Sequence, residues 1–221
     1  MKIIAHIENS YGEKFGVPRQ SGLAEHVLSR IVFEPEYRVP AAFRGLEEYS
    51  HLWLLWCFSA NEAAGWSPTV RPPVLGGNAR KGVFATRSPF RPNPIGLSCV
   101  KLVKLEPEAA DGAILTVSGA DLMNGTPIYD IKPYIPYTDC RPEALGSFAE
   151  VHKDARLAVV IPEELLQRVA PEEQTGLREM LSLDPRPRYQ QDASRIYGCH
   201  FAGRNVQFRV EDGVLTVTDI E

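Results

Sequence analysis

Three separated stretches of this 221-residue chain carry side chains suited to holding an anionic, ribose-containing ligand. VPRQSG, residues 17–22, offers the Arg19 guanidinium and the Gln20 amide beside the rigid Pro18. TRSPFRPNPIGLS, residues 86–98, sets Arg87 and Arg91 among three prolines, poor material for a helix or a central strand and good material for a stiff cationic loop. DLMNGTPIYDIKPYIPY, residues 121–137, adds Asp121, Asp130, Lys132 and three tyrosines. Arginine suits planar recognition of carboxylate or phosphate, aspartate suits ribose hydroxyls, and aromatic rings suit a base or a sulfonium. Together these stretches read as parts of one pocket. Asn93-Pro94 and Asn124-Gly125 are also ordinary turn dipeptides and serve as turns whatever else they do.

The common cofactor fingerprints are missing. No G-x-G-x-x-G follows a strand, and GGNARKG lacks the G-K-[ST] ending by which a P-loop holds phosphate and magnesium. There is no G-x-S-x-G elbow, and His6, His26, His51, His152 and His200 stand away from any recognisable nucleophile. Cys57, Cys99, Cys140 and Cys199 form no C-x-x-C pair, so reduced thiols, no disulfide frame and no structural metal are expected. No window approaches the length of a membrane span, and a cytoplasmic protein is expected.

Net charge is −4, yet from Glu62 to Glu106 no acidic residue intervenes, while Arg71, Arg80, Lys81, Arg87, Arg91, Lys101 and Lys104 fall in that interval. All 28 carboxylates therefore lie outside it, which concentrates positive potential where a polyanion such as RNA could dock.

The elements that must position these loops read as strands. KIIAHIE, SRIVFE, SHLWLLWCF, GVFATR, IGLSCVKLVKLE and AILTVSG are β-branched or aromatic segments bounded by Gly, Pro, Asn and Asp, with only VPAAFRGLEEYS hinting at a short helix. Many short strands without long amphipathic helices predict a mainly β fold, a single-sheeted antiparallel β-barrel, over residues 1–138. Trp53 and Trp56 are expected in its core. Residues 139–154 have linker texture, and 155–221 read as a small C-terminal α+β domain. In it, Pro162 and Pro171 each precede paired glutamates at a helix start, Leu177, Met180 and Leu181 give an apolar helix face, and Asp212-Gly213 marks a hairpin.

Taken in order, EKFGVPRQSGL, RGLEEYSHLWLLW, RPPVLGGNARKGVFATRSPFRPNPIGLS, DLMNGTPIYDIKPYIPY and DPRPRY resemble the TrmO family, also called TsaA-like or YaeB, over nearly the whole chain. The resemblance implies a tRNA methyltransferase that uses S-adenosyl-L-methionine on a β-barrel. Its acceptor would be the exocyclic nitrogen of threonylcarbamoyladenosine beside the anticodon of threonine tRNAs, and it would act as a homodimer with the cofactor near the interface. Carried over by motif, the cofactor contacts are Pro18, Arg19, Gln20, Arg87, Leu97, Asp121, Leu122, Met123 and Asn124. Ser59 and Ala60 fall at further contact positions where family members carry His and Gln, so a backbone contact is expected there.

The methyl of such a cofactor is already activated by the positive sulfur, so the enzyme has mainly to align the acceptor nitrogen and exclude water. Asp130 and Tyr134 are the candidates for easing loss of the acceptor proton, with structural bonding at a strand end as the competing role. Lys132 and Arg91 would meet the threonyl carboxylate or a phosphate, Arg71, Arg80 and Lys81 would follow tRNA phosphates, and Trp66 or Phe90 would stack on an unpaired base. Arg186, Arg188 and Tyr189 in DPRPRY would either extend the RNA surface or simply stop the helix ending near Leu183. Two other classes stand beside this one. A non-catalytic RNA-binding barrel would share the basic loops, and a metal-dependent phosphoesterase on Asp121 and Asp130 is disfavoured because two carboxylates alone make a poor metal site.

Overall fold

The computed structural model describes residues 1–76, 79–110, 112–150, 153–186 and 192–221; Arg188, Tyr189 and His152 lie outside the described residues. Six strands close an antiparallel barrel: β1 (Ala5–Glu8), β2 (Leu28–Phe33), β3 (His51–Cys57), β6 (Ile95–Glu106), β7 (Ile114–Ser118) and β8 (Pro127–Pro133), in the order β1-β2-β7-β6-β3-β8. A separate ribbon pairs β4 (Thr69–Val70) with β5 (Lys81–Gly82). The barrel expected from the strand pattern is thus observed.

Alternation decides what fills it. On β3, Leu52, Leu54 and Trp56 point inward beside Val100 of β6, Leu115 and Val117 of β7, and Ile128 of β8. Trp53 corrects the expectation of a core tryptophan. Three residues from Trp56, it must occupy the opposite face of the strand; there it is half-buried, and its Nε1 donates to Asp139 at 2.9 Å.

Two other local expectations change. GVFATR is no strand beyond Gly82, because Val83–Ala85 forms a 3-10 turn closed by Thr86 N donating to the Val83 carbonyl. PIYDIKP, read as part of a loop, is β8, the strand that closes the barrel between β1 and β3. Its prolines sit at the first and last positions, where a missing N–H does little harm to the ladder. VPAAFRGLEEYS forms two 3-10 turns, Pro40–Phe43 and Leu46–Glu48.

Past the short helices α1 (Pro136–Asp139) and α2 (Ser147–Glu150) comes β9 (Ala158–Val160), then α3 (Glu163–Leu166) and α4 (Pro171–Ser182), then β10 (Tyr197–Phe201), β11 (Arg204–Glu211) and β12 (Val214–Ile220). These last strands form a four-stranded sheet in the order β10-β11-β12-β9. Both hairpins of that sheet turn on left-handed residues: Ala202 and Gly203 (φ 50° and 74°), and Asp212 and Gly213 (φ 48° and 77°). Its core takes in Tyr11, Ala24 and Val27 from the segment between β1 and β2. That segment is also stitched polar group by polar group: Ser10 Oγ donates to Glu173 at 2.8 Å, His26 N to Glu179 at 2.8 Å, and His200 N to Glu13 at 2.9 Å. The loop bearing Pro18, Arg19 and Gln20 is therefore held at both ends, by α4 at Ser10 and His26 and by β10 at Glu13. Among the described residues, no helix is long and apolar enough to cross a membrane.

Candidate functional site

A cavity of about 480 Å³ lies where the loop after β1, the end of β3, the proline-rich loop before β6 and the loop before β8 meet. That size accommodates a nucleoside-sized ligand. Pro18, Arg19, Gln20, Arg87 and Leu97 line it, as do Ser59, Ala60, Asp121 and Met123. Two residues expected with them do not. Leu122 is fully buried in the barrel core, its carbonyl accepting from Asn9 Nδ2 at 2.9 Å, and Asn124 Oδ1 accepts from Asn9 N at 3.1 Å. Both shape the Asp121–Gly125 turn instead of facing the cavity.

The walls divide by chemistry. One is apolar: Trp56 and Phe58 pack with ring centroids 4.3 Å apart, joined by Ile95, Leu97 and Pro89. The strand chemistry that makes this wall is specific. Gly96 pairs directly with Trp56 across β6 and β3, and a Cβ at Gly96 would fall within the indole ring, so the tryptophan lies flat on glycine backbone. The opposite wall is polar. Arg87 Nη1 donates to Gln20 Oε1 at 2.5 Å, Gln20 Nε2 donates to the Arg19 carbonyl at 2.6 Å, and Lys14 Nζ caps the Ala60 carbonyl at 2.8 Å. Arg19 Nη2 donates to the carbonyl of Asp184 at 3.2 Å, which ties this wall to the loop after α4.

Between the walls stands Asp121. Burial pushes its carboxyl up to about 6, against the Ser98 hydroxyl, its own backbone N–H, the Arg87 guanidinium and the Ser21 backbone, all of which favour the charged form. At neutral pH it is a carboxylate in a half-enclosed apolar setting beside a guanidinium. Such a set fits a ligand with a flat aromatic part, vicinal hydroxyls, a carboxylate and a cationic centre, which are the parts of S-adenosylmethionine.

Except for Arg91, the remaining site expectations lie away from the cavity. Asp130 forms an ion pair with Lys132 at 3.0 Å on the outside of β8, and Tyr134 packs against His51 and Trp53 at the far end of that strand, with centroids at 6.2 and 5.7 Å. Neither lines the cavity. Arg91 does, but its Nη1 donates to the carbonyls of Thr86 (2.7 Å) and Val83 (3.2 Å), so it braces the proline-rich loop from within. Arg71, Arg80 and Lys81 are exposed on or beside the β4–β5 ribbon, and Trp66 is 57% exposed nearby in sequence. Sequence reasoning passed over Lys14, Trp56, Phe58 and Ser98. For Ser98 a signal existed: in the alternation of β6 it is a polar residue at an inward position, between Gly96 and Val100.

Comparison with known proteins agrees with the architecture. The family profile described as "tRNA-methyltransferase O N-terminal domain" matches residues 6–140, and "TrmO C-terminal domain" matches residues 154–221. A protein of Escherichia coli (strain K12) named "tRNA (adenine(37)-N6)-methyltransferase" is 42% identical over 226 residues, covering 99% of this chain and 96% of its own. A Pseudomonas aeruginosa protein named "Putative S-adenosylmethionine-dependent methyltransferase RcsF" is 40% identical over 206 residues, covering 88% of this chain and 85% of its own. The structure titled "Crystal structure of TrmO from Pseudomonas aeruginosa" superposes with a TM-score of 0.77 at 32% identity, covering 99% of this chain and 97% of that one.

Proposed function

The chain belongs to the tRNA-methyltransferase O family, and on that premise we propose that it methylates N6 of adenine 37 in tRNA with S-adenosylmethionine as donor. The observation that carries the reading is the convergence of three sequence-distant loops, through Arg19, Arg87 and Asp121, on one cavity with an aromatic wall. A scattered placement of the same residues would have removed it.

Bound there, the cofactor supplies a methyl group already activated by its sulfonium. What remains for the protein is binding, alignment and exclusion of water. Trp56 and Phe58 offer ring faces, Asp121 a carboxylate for hydroxyl or cationic groups, Arg19 and Arg87 guanidiniums for a carboxylate, and Ser59 and Ala60 main-chain groups at the rim. The finer acceptor in the proposal is threonylcarbamoyladenosine 37 of threonine tRNAs. Arg71, Arg80 and Lys81, all exposed, would then follow the phosphates, and the exposed Trp66 would stack on an unpaired base. Asp130, Tyr134 and Lys132 reach an acceptor only if contributed across a homodimer. Sedimentation at assay concentration tests this; a fully active monomer removes all three from the site.

The deciding experiment is methyl transfer to threonine tRNA with and without the threonylcarbamoyl group, read by nucleoside mass. One added methyl on the modified tRNA alone is the expected result. Methylation of the unmodified tRNA would move the acceptor to plain adenine. Cofactor binding without any methyl gain would favour a binding role on RNA.

A further inference from the structure

Ser98 is fully buried on the inner face of β6, between the inward-facing Gly96 and Val100. A hydroxyl there needs partners, and it has two. Trp56 Nε1 donates to Ser98 Oγ at 2.9 Å, and Ser98 Oγ donates to Asp121 Oδ1 at 2.5 Å. An indole N–H can only donate, so the tryptophan occupies the acceptor side of the oxygen and directs its single proton to the carboxylate. The tryptophan is itself immobilised, flat on Gly96 and packed on Phe58.

We propose that Ser98 is a positioning residue of the cavity, an indole-anchored hydroxyl that sets the rotamer of Asp121 and aims its second oxygen at the ligand. The assignment rests on the reading of the cavity as a cofactor site, but its central test does not. It gives Trp56 two tasks, a ring face for the ligand and an anchor for the polar relay behind it. The groups that face Asp121 are Ser98 from β6, Arg87 from the proline-rich loop, the backbone at Ser21, and Tyr11 from the segment after β1. Lys14, Arg19 and Arg91 are the further charges of the cavity wall. Burial favours the protonated acid, whereas Ser98, the backbone and Arg87 favour the carboxylate. Loss of the hydroxyl therefore moves the titration upward.

The test is a carbon-13 carboxyl NMR titration of the cofactor-free protein, wild type against Ser98→Ala. The Asp121 midpoint is expected to rise by about half a pH unit or more. Calorimetry with S-adenosylmethionine supplies the second readout. Ser98→Ala is expected to weaken binding about tenfold at neutral pH, with the deficit narrowing as pH rises, yet to cost less than about twofold in an Asp121→Asn background. An unmoved midpoint, or an equal loss in both backgrounds, overturns the assignment, since a merely structural serine would cost the same in each. If Ser98→Ala fails to fold, Ser98→Cys carries the same comparison with a weaker donor. A wild type that binds no S-adenosylmethionine rejects the cofactor reading, while the NMR midpoints still decide the role of Ser98.

Discussion

Gly96→Ala tests the cavity at its most constrained point. The new methyl would occupy space held by the Trp56 ring, and the backbone opposite cannot retreat because residues 51–57 are paired with β6 on one side and β8 on the other. The indole must therefore leave its bed, which disturbs its packing on Phe58 and its hydrogen bond to Ser98. Overpacking costs about 1–3 kcal/mol and a lost buried hydrogen bond about 1 kcal/mol, so a loss of roughly 2–4 kcal/mol is expected. For a chain of this length that lowers Tm by roughly 5–15 °C. The assay is thermal melting with tryptophan fluorescence. Trp56 is 6% exposed, so its emission should shift to the red as it leaves the core, and S-adenosylmethionine affinity should fall with it. A variant that melts within about a degree of wild type and keeps its emission and its binding would refute the argument, because Trp56 would then not rest on Gly96.

Asp121 carries a stability cost at neutral pH, because its folded-state carboxyl is raised to about 6 by burial. The folded state holds that proton more tightly than the unfolded chain does, so this group's contribution declines as pH climbs from the ordinary carboxylate range through about 6. Asp121→Asn is thus expected to melt higher than wild type near neutral pH by on the order of 1–2 kcal/mol, with the gap closing below about pH 5, while binding S-adenosylmethionine more weakly; a pH-independent gap would contradict the assignment. Gly176→Ala places a Cβ 2.8 Å from Val27 Cγ2, where α4 meets the segment from the barrel. A net loss of about 1–2 kcal/mol is expected by denaturant titration, although alanine is the better helix former by about 1 kcal/mol. Ala202→Asn, at φ 50° in the β10–β11 turn, is expected to raise stability by about 0.5–1 kcal/mol, since asparagine tolerates the left-handed region better than alanine; a lower Tm would show that the turn is set by something else.

The strands of the barrel were legible in sequence wherever β-branched and aromatic residues ran between turn residues, as in residues 28–33, 51–57, 95–106 and 114–118. So were the proline starts of α3 and α4 and the Asp212-Gly213 hairpin. These signals are local: propensity, alternation and turn chemistry act over a few residues. β8 escaped because its terminal prolines read as loop, and Val83–Ala85 misled because Val83 and Phe84 read the same in a strand and in a 3-10 turn. The Ala202-Gly203 hairpin carried no warning, since alanine rarely takes that conformation unless the flanking strands impose it.

Residue types alone determined that this chain would fold as a strand-rich protein with cationic, proline-stiffened loops able to hold an anion and a base. Convergence was another matter. Whether Arg19, Arg87 and Asp121 share a cavity depends on barrel closure, which pairs β1 with β8, as at Ala5 and Ile128, and β3 with β6, as at His51 and Lys101, so that loops far apart in sequence meet. The same closure turned Trp53 outward and Trp56 inward, left Asp130 and Tyr134 outside the lining, and brought Ser98 under Asp121. A side chain's chemistry belongs to its own position, but its environment is made by neighbours distant in sequence, and only the packed chain brings those neighbours together.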